Sequence, residues 1–212
     1  MTLNWANRIT IFRILLIAPF ISLMLKTNDV ALSHDAQNAM RYAAILTFIL
    51  MAISDGVDGF LARTRNQITK LGAFLDPIAD KLLMISACLL LASQRGHVRG
   101  FLLPPTVVVL IIGKDLFLLI GFAIVYLITS QIHIAPVFVG KLATTLQLSM
   151  VATILIGPEA STVLIGWIWL LRTIWWSAAG TAILATLIYI RNGSRYIEEY
   201  EHNLANKTPG SE

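Results

Sequence analysis

The chain has 212 residues, 57% of them hydrophobic and 13% charged, with a formal net charge of +4 and a mean hydropathy of +0.74. Soluble domains average about 45–50% apolar and about 25% charged, so both departures point to an integral membrane protein. The basic balance suits anionic lipid head groups, the lack of a basic domain excludes nucleic acid as a partner, and a single cysteine excludes an intrachain disulfide.

Crossing about 30 Å of hydrocarbon takes about 20 apolar residues, and six stretches meet that length: 9–26, 39–61, 71–93, 103–128, 139–157 and 171–190. The expected fold is all-α, a polytopic membrane protein with six transmembrane helices and a short N-terminal interfacial helix around Leu3 and Trp5. The first span has basic residues ahead of an apolar run and Ala-Leu-Ser at 31–33, like a signal peptide. Arg13 interrupts that run and more spans follow, so it reads as a retained span. The second span closes on Asp55 and Asp58, and the third opens on Asp76 and Asp80 and later carries Cys88, which reads as small core filler. The fourth contains Lys114 and Asp115, and the fifth begins at Lys141. Trp167, Trp169, Trp175 and Trp176 bracket Arg172 around the start of the sixth, the pattern of an aromatic belt with a snorkelling arginine.

Residues 195–212 are polar and are expected to fray, leaving 1–194 as the membrane domain. Arg8, Arg63, Arg65, Lys70, Lys141, Arg191 and Arg195 fall on one side of a six-span topology, against Lys26, Arg41, Arg95 and Arg99 on the other. The more basic side, with the 62–70 loop, is expected to be cytoplasmic. His34, His97, His133 and His202 have no partner spacing and receive no role.

The charge is concentrated between two spans. Asp55 and Asp58 are three residues apart, and Asp76 and Asp80 four apart, so each pair shares a helix face. Four aspartates at helix centres would cost about 10 kcal/mol or more. A wet cleft holding hard cations offsets that cost, and carboxylates without His or Cys suit magnesium or manganese. Gly56, Gly59 and Ala62 leave room for close packing or for a bulky ligand, and Arg63 offers a forked donor for phosphate.

Residues 55–80 read Asp55-x2-Asp58-Gly59-x2-Ala62-Arg63-x8-Gly72-x3-Asp76-x3-Asp80. This resembles the signature of the CDP-alcohol phosphatidyltransferase family with every fixed position present, and Thr10-x2-Arg13 extends the likeness into the first span. The resemblance implies a membrane transferase that moves a phosphatidyl group from CDP-diacylglycerol to an alcohol and releases CMP. It implies that Asp55, Asp58, Asp76 and Asp80 hold two divalent cations, magnesium or manganese, with Asp80 also the general base. Thr10, Arg13, Asp55, Asp58, Gly59, Ala62, Arg63 and Gly72 would form the CDP site. It further implies a homodimer in a bacterial-type inner (cytoplasmic) membrane.

The strings NQITKLGAFLDPIADKLL and LNWANRITIFRILLIAPF are most like the phosphatidylglycerophosphate synthase and cardiolipin synthase branch. Glycerol 3-phosphate is therefore the expected acceptor, with phosphatidylglycerol the alternative. Lys114, Asp115 and Lys141 are the expected acceptor-phosphate residues, with Lys-Asp standing where the branch often has Arg-Glu. An ion-coupled transporter is the reading from another class, but the carboxylates have no counterpart in a second half.

Overall fold

The computed structural model describes residues 5–64, 70–129 and 138–207, with side chains described for 8–56, 78–121, 124, 127 and 138–198. Seven helices and no named strand occur among the described residues: α1 (Trp5–Lys26), α2 (His34–Thr64), α3 (Lys70–Ala92), α4 (Pro105–Thr129), α5 (Phe138–Leu155), α6 (Gly157–Val163) and α7 (Trp167–Lys207). Four of them, α1, α2, α5 and α7, contain described stretches long and apolar enough to cross a membrane. The expected spans at 71–93 and 103–128 coincide with α3 and α4. Trp5 opens α1 itself, and Leu3 lies outside the described residues.

Each helix buries one stripe, and the stripes explain the packing. On α1 the buried residues are Thr10, Arg13, Ile17, Phe20 and Met24; on α2 they are Gln37, Arg41, Ala44, Phe48 and Met51. Steps of three and four keep each set on one face. The two stripes meet as an antiparallel pair, with the Phe20 and Phe48 ring centroids 6.1 Å apart. The other faces carry exposed apolar residues such as Leu15, Leu46 and Ile53, as expected of surfaces that meet lipid.

The same logic runs through α7, where Trp167, Leu171, Trp175, Ala178, Ala182 and Ala185 are buried in steps of three and four. Its small residues let α4 and α5 approach closely. Trp167 and Trp175 are therefore core residues, while Trp169 and Trp176 face outward. Only two of the four tryptophans of the expected belt thus face outward. Arg172 stacks over the Trp169 ring at 5.3 Å, in keeping with a snorkelling side chain.

Two differences from the sequence reading have plain causes. The fifth span ends at Leu155 and a separate short helix, α6, follows with Pro158 in its first turn, because proline breaks an incoming helix and suits a new start. Residues 195–207 continue α7 where a frayed tail was expected. That segment adds residues to an existing helix, so it bears no nucleation cost, and Glu198, Glu199 and Glu201 are good helix formers.

The ends of the helices away from Asp55 are tied by polar contacts. Asn28 Nδ2 donates to the His97 carbonyl at 2.7 Å, and Arg99 Nε donates to Asn28 Oδ1 at 3.3 Å. Buried Arg41 forks onto Glu159 of α6 and also donates to the Leu155 carbonyl at 3.0 Å. Cys88 is fully buried in the apolar core, as expected.

Candidate active site

Asp55 prolongs the buried stripe of α2 by one more step of four, and there it meets Arg13 of α1, whose Nη1 donates to Asp55 Oδ1 at 2.5 Å. The Arg13 side chain is 1% exposed and that of Asp55 47% exposed, so a buried guanidinium props a carboxylate that still reaches open space. Thr10 is buried one turn earlier on the same stripe of α1. Asp80, partly buried near the middle of α3, lies within electrostatic range of Asp55, Arg13, Lys81 and Asp115. Both α2 and α3 pack on α1, which brings Asp55 and Asp80 together around Arg13.

The next residue turns the other way. Successive side chains on a helix diverge by about 100°, so Lys81 leaves the α1 side and reaches α4. Its Nζ donates to Asp115 Oδ1 at 2.6 Å, and Lys114 Nζ lies 3.2 Å from the same oxygen. Lys114 also donates to Gln147 Oε1 of α5 at 3.4 Å. Lys114, Asp115 and Gln147 are each nearly inaccessible. A continuous polar track thus crosses α2, α1, α3, α4 and α5, with Asp80 and Lys81 as its joint.

Beside this track lies a cavity of about 170 Å³ lined by Lys81, Lys114, Gly140, Lys141, Thr144 and Tyr189, with Leu118 at its apolar edge. Two of its ammonium groups share Asp115, and Lys141 has no ion-pair partner among the described residues. Three cations against one carboxylate leave a net charge of +2 at the wall, which suits an anion carrying two negative charges.

The expected acceptor trio of Lys114, Asp115 and Lys141 is therefore assembled, with Asp115 behind the wall as counter-ion. Asp55, Asp80, Thr10 and Arg13 gather at the neighbouring end of the track. Asp58, Gly59, Ala62 and Arg63 are helical positions on α2, and Gly72 and Asp76 on α3, but their side chains lie outside the described residues. Among the described residues no three carboxylate, imidazole or thiol groups converge as a metal centre. The described pair, Asp55 and Asp80, offers oxygen donors alone, with Asp55 half exposed, a donor set that fits hard divalent cations.

Sequence reasoning missed Lys81, Gln147, Gly140, Thr144 and Tyr189. Lys81 and Gln147 carried a usable signal, since a charge or an amide inside an apolar span calls for a partner. Tyr189 carried none, because a tyrosine near a span end reads equally well as an interfacial anchor.

Known proteins resemble this chain in sequence over much of its length. The sequence model of the family described as CDP-alcohol phosphatidyltransferase matches residues 3–187. A Bacillus subtilis (strain 168) protein named CDP-diacylglycerol--glycerol-3-phosphate 3-phosphatidyltransferase is 33% identical over 156 residues, covering 72% of this chain and 77% of the relative. The Escherichia coli (strain K12) protein of the same name is 31% identical over 159 residues, covering 75% and 80%. One from Sodalis glossinidius (strain morsitans), also so named, is 34% identical over 114 residues, covering 54% and 60%.

Proposed function

We propose, for a chain that belongs to the CDP-alcohol phosphatidyltransferase family, that it moves a phosphatidyl group from CDP-diacylglycerol to glycerol 3-phosphate, yielding phosphatidylglycerophosphate and CMP. The observation that carries the choice of acceptor is the +2 cavity beside Asp80. Glycerol 3-phosphate bears a phosphate monoester, close to doubly charged at neutral pH, which balances that wall. The phosphodiester of phosphatidylglycerol carries one charge and would leave the wall undercompensated. The names of the relatives support the same choice.

In this reading Thr10, Arg13, Asp55, Asp58, Gly59, Ala62, Arg63 and Gly72 hold the CDP moiety, and Lys81, Lys114 and Lys141 hold the acceptor phosphate. Asp55, Asp58, Asp76 and Asp80 would hold two divalent cations, magnesium or manganese. Such ions, when bound, neutralise a pyrophosphate and favour the departure of CMP. Asp80 takes the proton of the acceptor hydroxyl as its oxygen attacks the phosphatidyl phosphorus. The bond from that phosphorus to the oxygen of CMP breaks, and CMP leaves with the electron pair. Arg13 orients Asp55 through their ion pair. The adjacency of Asp80 and Lys81 sets the acceptor hydroxyl beside the base when the phosphate lies in the cavity, which is catalysis by orientation.

The positive-inside bias supports a cytoplasmic site, and the lengths of α3 and α4, 23 and 25 residues, support six spans in all. The family resemblance supports a homodimer in a bacterial-type inner membrane.

Purified protein given CDP-diacylglycerol, magnesium and glycerol 3-phosphate is expected to release CMP and form phosphatidylglycerophosphate. Folded protein that stays silent with glycerol 3-phosphate yet turns over phosphatidylglycerol would transfer the assignment to cardiolipin synthesis. Asp80→Asn is expected to abolish turnover while still binding CDP-diacylglycerol; an active Asp80→Asn enzyme would remove Asp80 as the base.

A further inference from the structure

Tyr189 continues the buried stripe of α7 one step of four beyond Ala185, so its phenol is carried to the wall of the cationic cavity. Facing it on α5 is Gly140. A Cβ at Gly140 would lie 2.6 Å from the Tyr189 hydroxyl oxygen and 3.4 Å from its ring carbons. No residue with a side chain fits there unless the phenol moves. The hydroxyl makes no hydrogen bond to the described residues. Thr144, by contrast, already donates its hydroxyl to the Gly140 carbonyl at 3.2 Å.

A cavity walled by three ammonium groups and one uncommitted phenol is rich in donors, and Asp115, which does not line it, already accepts from Lys81 and pairs with Lys114 through Oδ1. Lys141 and Tyr189, donors with no acceptor among the described residues, call for a ligand dense in acceptor oxygens. We propose that Tyr189, seated by Gly140, is a substrate-contact residue whose hydroxyl donates to a phosphate oxygen of the acceptor. The proposal rests on the function argued above and adds to it one residue from α7 and the glycine that makes room for it. The phenol also closes the α7 side of the cavity, so it shapes which acceptors enter as well as holding one.

The test uses the 212-residue chain in detergent micelles with CDP-diacylglycerol, magnesium and glycerol 3-phosphate, reading CMP release and thermal unfolding. Tyr189→Phe keeps the ring and the contact with Gly140 but removes the donor. It is expected to raise KM for glycerol 3-phosphate about tenfold, the usual scale for a hydrogen bond to a charged group, with KM for CDP-diacylglycerol and the unfolding temperature unchanged. Gly140→Ala is expected to raise the same KM, and to add little in a Tyr189→Phe background, because both changes act on one hydroxyl.

A Tyr189→Phe enzyme with KM for glycerol 3-phosphate within about twofold of wild type would overturn the role of Tyr189, as would an equal rise in KM for both substrates. Wild-type protein silent with glycerol 3-phosphate would overturn the functional reading and this proposal together. Tyr189→Phe is isosteric, so it decides the question even if Gly140→Ala does not fold.

Discussion

Lys141 offers the cleanest probe of the acceptor site. It lines the cavity and is solvent-exposed, and it has no ion-pair partner among the described residues, whereas Lys81 and Lys114 are tied to Asp115. Lys141→Ala lowers the wall from a net +2 to +1 without stranding a buried carboxylate. Two unit charges about 4 Å apart interact by about 4 kcal/mol at an effective dielectric of about 20. Hydrogen bonds to charged groups are worth about 1.5–3 kcal/mol once water refills the site. The lower range is the better guide for an exposed side chain, and it corresponds to a rise in KM for glycerol 3-phosphate of about 10- to 150-fold. KM for CDP-diacylglycerol and the unfolding temperature should not move, and Lys141→Arg should recover part of the loss because it keeps the charge but not the point geometry. Steady-state CMP release at varied acceptor, paired with thermal unfolding in micelles, reads all of these. A Lys141→Ala enzyme with an unchanged acceptor KM, or one that loses stability instead, would refute the assignment of the cavity to the acceptor phosphate.

Asp115→Asn removes the shared counter-ion of Lys81 and Lys114, held at 2.6 and 3.2 Å. Breaking a buried pair costs about 3–5 kcal/mol, so thermal unfolding should fall well below wild type even with saturating acceptor. Glu159 of α6 has its pKa lowered from the ordinary 4.5 to about 2, first by the hydrogen bond from Arg41 and then by that from Tyr42. A depressed carboxylate contributes stability that is complete above the unfolded value and is lost as pH falls through the folded one. Wild type should therefore lose stability progressively from about pH 4.5 down towards about 2, and Glu159→Gln should be less stable at pH 7 yet flatter across that window; parallel acid profiles for the two would rule the pair out. Gly157→Ala places a Cβ 2.8 Å from the ring of buried Phe101. Overpacking of that kind costs about 1–3 kcal/mol, visible as a lower unfolding temperature with KM for both substrates unchanged.

Much of the fold is legible in the sequence because hydrocarbon punishes exceptions. The helices follow from apolar length, and the charged positions stand out because each is costly in lipid. Helix faces are less legible. A span surrounded by lipid can be apolar all round, so periodicity does not reveal which tryptophans of α7 turn inward; Trp167 and Trp175 do so because α7 packs its Ala178, Ala182 and Ala185 face against α4 and α5. Arg41 likewise reads as an ordinary basic residue near a span end, and its burial depends on Glu159, far along the chain, arriving on α6.

The two halves of the candidate site differ in legibility for a related reason. The donor half is written in one contiguous stretch, 55–80, where spacing alone puts carboxylates on shared faces of consecutive helices. The acceptor half has no such stretch. It is gathered from α3, α4, α5 and α7, and its geometry rests on contacts such as Lys81 with Asp115, Lys114 with Gln147 and Tyr189 with Gly140, none of which any local spacing encodes. That separation has a chemical consequence. The cavity wall draws on α4, α5 and α7 as well as α3, whereas Asp55 and Asp80 are placed around Arg13 by α1, α2 and α3. Under the proposed function, one donor chemistry serves alcohols of different charge and size, and the place to test for the identity of the acceptor is positions 81, 114, 140, 141, 144 and 189 rather than the motif.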